Sequence, residues 1–126
     1  MSDDRRRFSR IPFDAPVSLH QDHWQAQVQL IDLSLRGLLV MQPDDWSQAD
    51  SSQPLEVTIG LSNLERIHME AHLAFAREGL LGLECKHIDL DSISHLKRLV
   101  MLNLGDEALA ERELAALYQG DAGDAE

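Results

Sequence analysis

From Trp24 to Leu30 the chain alternates without a break: Trp24, Ala26, Val28 and Leu30 are apolar, and every residue between them is glutamine. Successive side chains of an extended strand point to opposite faces, so this pattern describes a strand with one face on a core and the other in water. The theme recurs along the chain. Ala15 to Leu19 makes a short strand, with Gln21 to His23 as the hairpin turn that follows it. Gly37 to Met41 is a continuous apolar run, Leu55, Val57, Ile59 and Leu61 alternate, and Ile67, Met69, Ala71, Leu73 and Phe75 form the longest series. Leu81, Leu83 and Cys85 supply one more strand, reached through a tight turn at Glu78 and Gly79. Gln42 to Pro54, rich in Asp, Ser, Gln and Pro, is the one long loop, and its Trp46 is expected to tuck over a barrel mouth.

After Ile88 the period changes. Ile93, Leu96, Leu99 and Val100 recur at helical spacing, with Asp91 or Ser92 as cap and Gly105 as stop. Asp106 caps a second helix, whose stripe is Ala110, Leu114, Leu117 and Tyr118 and which ends at Gly120. The expected helices span about 91–104 and 106–119. Six or so short antiparallel strands followed by two helices predict an α+β, mainly β domain, and closing the sheet into a barrel removes its exposed edges. A length of 126 residues suits one such domain. Residues 1–12 read as a flexible Arg-rich arm, residues 13–120 as the domain, and residues 121–126 as an acidic tail.

The formal charge is −11, from 22 acidic residues against 11 Lys plus Arg, which should repel nucleic acids and anionic membranes from most of the surface. Arg5, Arg6, Arg7 and Arg10 nevertheless crowd into the arm. Guanidinium groups suit planar, bidentate recognition of phosphates or guanine edges, so the segment fits a small anion. No apolar run approaches the roughly 20 residues needed to cross a bilayer, and the charged N-terminus is unlike a signal peptide, which predicts a cytoplasmic protein with no membrane partner. Cys85 is the only cysteine, so it reads as a small buried hydrophobe and not as part of a disulfide or a Cys-based zinc site. His68, Glu70 and His72 share a strand face, but that face also carries Arg66 and is read as solvated surface. No metal and no cofactor is expected.

Two local signatures remain, Arg6-x-x-x-Arg10 in the arm and Asp32-x-Ser34-x-x-Gly37 where the Trp24 strand ends. Asp32 continues the inward parity of Trp24 to Leu30 but stands at the strand's end, where a carboxylate can meet a ligand. Ser34 can bond to backbone or ligand, and Gly37 would permit a positive φ or a close approach to the backbone.

RRRFSR followed about twenty residues later by DLSLRG resembles the paired signature of the PilZ domain family, and the resemblance covers nearly the whole chain. It implies a six-stranded antiparallel β-barrel and a receptor, not an enzyme, for the bacterial second messenger cyclic diguanylate (c-di-GMP). It also implies that Arg6 and Arg10 contact phosphates and the guanine Hoogsteen edge, a natural bidentate geometry. Asp32, Ser34 and Gly37 would line the other side of the ligand, with Asp32 accepting from guanine N1 and N2. Arg5 and Arg7 flank the first motif arginine, and a basic residue just before that arginine goes in the family with a stacked pair of ligands. Phe75 and Arg77 add a stacking face and a further guanidinium as secondary candidates.

Such a receptor would act on a downstream protein that the sequence does not identify. Two alternatives stay open: a nucleic-acid-binding protein that uses RRRFSR as its contact arm, which the net charge disfavours, and a protein-interaction domain without a ligand.

Overall fold

The computed structural model describes residues 8–62 and 65–124. Its strands are β1 (Ile11–Pro12), β2 (Pro16–Gln21), β3 (Trp24–Ser34), β4 (Gly37–Met41), β5 (Leu55–Gly60), β6 (Arg66–Arg77) and β7 (Leu80–Ile88). Helices α1 (Leu90–Leu104) and α2 (Glu107–Asp124) follow. All pairings are antiparallel, and β3 pairs with both β2 and β4, which closes β2, β3, β4, β7, β6 and β5 into a six-stranded barrel. The expected barrel is what forms, with β1 as an outer seventh strand.

The alternating residues fill the barrel. Val17, Leu19, Leu33, Val40, Val57, Ile59 and Ile67 are among those almost wholly removed from water, and Leu96 and Val100 of α1 join the same cluster. The Ser92 hydroxyl, buried on α1, accepts the His68 backbone N–H at 2.9 Å and ties the helix to β6. Trp46 lies in a short 3₁₀ turn and packs edge-on against Trp24, with centroids 5.6 Å apart. The β6–β7 turn is the one expected, because Glu78 and Gly79 both take positive φ, 55° and 77°.

The structure departs from the sequence reading at five places. The arm is not free to residue 12: Ile11 is buried and pairs with Leu33, and Pro12 pairs with Asp32, so the chain is stitched to the edge of β3 from Ile11 onward. Asp32 does not keep the inward parity of Trp24 to Leu30. Leu30 faces Val40 and Asp32 faces Leu39, so Ile31 is an extra residue, a β-bulge that exposes Ile31, buries Leu33 and turns Asp32 to the barrel's outer face.

A second bulge at Ala74, between the Leu73–Leu83 and Phe75–Gly82 pairs, ejects Phe75 from the inward series in the same way. The cap of α1 is Asp89, whose carboxylate accepts from the Ser92 N–H at 3.0 Å, and the helix starts one residue earlier than expected. That N–H, with smaller help from the Ser92 side chain, holds the Asp89 carboxyl below the usual carboxylate range. Finally, α2 continues through Gly120 and Gly123 to Asp124, so residues 121–124, expected in the acidic tail, are helical; each glycine inside a helix costs only about 1 kcal/mol against alanine and need not end it. Gly105 (φ 71°) and Asp106, which accepts from the Leu109 N–H, do terminate and cap as expected.

Candidate functional site

The bulges at Ile31 and Ala74 build the site. On the outer face, Asp32 of β3 stands opposite Leu39 of β4, Leu39 opposite Gly82 of β7, and Gly82 opposite Phe75 of β6. One row of cross-strand partners therefore runs from the Asp32 carboxylate to the Phe75 ring. Gly82 carries no side chain beneath that ring: a Cβ built there would lie 2.2 Å from a ring carbon, so the ring rests directly over the glycine. Behind this row, Ser34 pairs with Gly37 and Gly37 with Glu84.

These residues line an open cleft of about 240 Å³, together with Phe8 and Arg10 of the arm and Arg36 of the β3–β4 turn. Arg10 donates through Nε and a terminal nitrogen to the two Asp32 carboxylate oxygens, each at 3.2 Å. Its side chain is 55% exposed and that of Asp32 is 20% exposed, so water screens the pair and it contributes at most about 1 kcal/mol. Arg36 lies 5.7 Å from the Phe8 ring centroid and 3.6 Å from a Glu84 carboxylate oxygen, and Arg77 stacks on Phe75 at 4.7 Å. The cleft thus combines aromatic faces, guanidinium groups and acceptors, the inventory for holding a flat heterocycle that carries negative charge.

The sequence candidates fare differently. Arg10, Asp32, Ser34, Gly37 and Phe75 come together in the cleft, whereas Arg77 touches it only through Phe75. Arg5, Arg6 and Arg7 lie outside the described residues. The Ser34 hydroxyl serves the turn, accepting the Arg36 N–H at 3.2 Å and donating weakly to the Gly37 carbonyl at 3.5 Å. Gly37 does not use positive φ. Its constraint is the Leu83 carbonyl oxygen, which a Cβ would approach to 2.2 Å, so the glycine allows β4 and β7 to close.

Sequence reasoning passed over Phe8, Arg36, Leu39, Gly82 and Glu84. Phe8 and Arg36 occupy the unassigned positions inside the two signatures, which is where a signal existed. A larger cavity, about 390 Å³, lies at the opposite end of β3 around Trp24, but its charged lining is Asp22, Asp50 and Glu56, with no Lys or Arg to attract an anion. On the polar face of β6, His68 meets Glu56 at 2.8 Å and Thr58 at 3.1 Å, a cross-strand surface pair.

Fold and site together define a small antiparallel barrel with an arginine-bearing arm laid across a surface cleft. The chain belongs to the PilZ domain family, whose model matches residues 4–102. Among solved structures it resembles the Bacillus subtilis inhibitor of motility MotI/DgrA, at 19% identity and TM-score 0.64, covering 78% of this chain and 50% of that one. It therefore spans about half the length of that protein. The PilZ domain of CeSA from a cellulose-synthesizing bacterium is similar at 24% identity and TM-score 0.56, covering 73% and 94%. The PilZ domain of Escherichia coli YcgR, solved with c-di-GMP, is similar at 15% identity and TM-score 0.60, covering 93% and 98%. No helix among the described residues is long and apolar enough to cross a membrane.

Proposed function

We propose that this protein is a receptor for c-di-GMP that uses binding as a signal to another protein. The observation that carries the reading is that Arg10 of the first family signature meets the second signature in one cleft, with its guanidinium on Asp32. A PilZ relative of the same fold, that of YcgR, was solved with this ligand.

Within the cleft the recognition groups satisfy one another. Both Asp32 oxygens are taken by Arg10, so a guanine edge that donates to Asp32 must displace or share them, and Arg10 is then released toward phosphate or guanine acceptors. The exchange is easy because the exposed pair is weak. Phe75, seated on Gly82, becomes a stacking face when the Arg77 guanidinium on its ring gives way to a base, and Arg36 adds a second guanidinium. Arg5, Arg6 and Arg7 supply the remaining positive charge, enough for the four phosphate charges of a stacked pair of ligands. Ser34 and Gly37 act on turn and strand closure, keeping Asp32 and Arg36 at the cleft. The downstream partner reads the arm and the cleft with the ligand between them.

Calorimetric titration with c-di-GMP and with cyclic diadenylate tests the reading. Binding of the guanine ligand at micromolar protein, with the adenine analogue at least about tenfold weaker, is expected, because adenine lacks the N1–H and N2 donors that Asp32 accepts. Absence of heat with both ligands, or equal affinity for the two, contradicts it.

A further inference from the structure

Glu113 of α2 is only 3% exposed, and its Oε2 accepts the backbone N–H of Ser9 at 2.9 Å and the Ser9 hydroxyl as well. Its Oε1, also buried, has no hydrogen-bond partner among the described residues. A carboxylate removed from water is unfavourable unless it is paired, so the two Ser9 donors are what make this position tolerable. The helix beneath is well seated, since Ala110 is buried and Leu114 packs against the core. Ser9 stands between Phe8, a wall of the cleft, and Arg10, the partner of Asp32.

We propose that Glu113 is a positioning residue for the ligand arm. By gripping Ser9 it holds Phe8 and Arg10 over the cleft before the ligand arrives, which makes α2 part of the binding machinery. Coupling of this kind is reciprocal: whatever pulls α2 from its seat weakens ligand binding, and bound ligand strengthens the seat. The inference rests on the receptor reading above.

The test compares wild type, Glu113→Gln and Glu113→Leu by c-di-GMP titration, thermal unfolding and amide hydrogen exchange. Gln retains an oxygen acceptor for Ser9 and keeps the affinity within about twofold, whereas Leu releases the arm and weakens binding about tenfold, because the ligand must then order it. The same Leu substitution leaves the ligand-free Tm equal or higher, since it replaces a half-paired buried charge by a hydrophobe. A purely structural role would move affinity and Tm down together, and that result overturns the proposal, as does wild-type affinity in Glu113→Leu. Without ligand, the Ser9 amide is protected from exchange in wild type and Glu113→Gln and unprotected in Glu113→Leu; equal protection in all three also overturns it. Failure of the wild type to bind c-di-GMP rejects the receptor reading instead, and the exchange comparison still decides whether Glu113 holds the arm.

Discussion

The Phe75 ring lies over the bare Cα of Gly82, on the strand beside it, so closely that any side chain at residue 82 would have to push the ring away. The clash is with a movable side chain and not with backbone. Gly82→Ala is therefore expected to fold with little change in unfolding midpoint while displacing one wall of the cleft. Base–aromatic stacking contributes about 1–3 kcal/mol per base, so c-di-GMP affinity should fall about tenfold, matching Phe75→Ala. Unchanged affinity in both variants would remove Phe75 from the site.

Gly37 presents the opposite case. Its missing Cβ would meet the Leu83 backbone carbonyl at 2.2 Å, and a strand pair inside a closed barrel cannot easily yield. Gly37→Ala should destabilise the fold by about 1–3 kcal/mol, read from urea unfolding. A wild-type midpoint would mean that the β4–β7 pair is looser than the structure shows.

The Arg10–Asp32 pair separates binding from stability. Asp32→Ala should shift stability by less than about 1 kcal/mol because the pair is exposed. Its ligand affinity should nevertheless fall at least about tenfold, since hydrogen bonds to a charged group contribute about 1.5–3 kcal/mol. Arg10→Lys should rescue Arg10→Ala poorly, because an ammonium cannot reproduce the two-pronged contact. Paired calorimetry and chemical denaturation check both statements.

Acid should weaken the start of α1. The Asp89 carboxyl is held below its ordinary value by the Ser92 N–H, so its capping contribution is present above the unfolded carboxyl value of 3.8 and is lost as pH falls through the lower folded value. Thermal unfolding of wild type and Asp89→Ala should differ at pH 7 and converge in strong acid. A constant difference across that range would mean that the carboxylate does not act through its charge.

Much of this fold was readable because it rests on local signals. Alternation in Trp24 to Leu30 marked a strand, Glu78-Gly79 a tight turn, and Gly105-Asp106 the junction of the helices. The bulges at Ile31 and Ala74, like the register shift at Lys86, were not readable, because an extra residue is defined only against the partner strand and reverses the parity that alternation predicts beyond it. Alternation alone therefore puts Asp32 and Phe75 on the right strands but on the wrong face. Arg10, Asp32, Ser34 and Gly37 could be found from their spacing, while Gly82 and Glu84 reach the cleft only by pairing with β4 and β6. The contact between Ser9 and Glu113 joins residues 104 positions apart and has no local signature at all.

With the cleft as the site, the ligand should lie on the outer face of β3, β4, β7 and β6, beneath the arm. Two-dimensional amide NMR during c-di-GMP titration tests this most directly. Shifts should concentrate at Phe8 to Arg10, Asp32 to Leu39, Phe75 and Gly82 to Glu84, and leave the Trp24 end of the barrel unmoved. Shifts centred instead on His20 to Trp24 and Gln48 to Glu56, around the larger acidic cavity, or no shifts at saturating ligand, would contradict it.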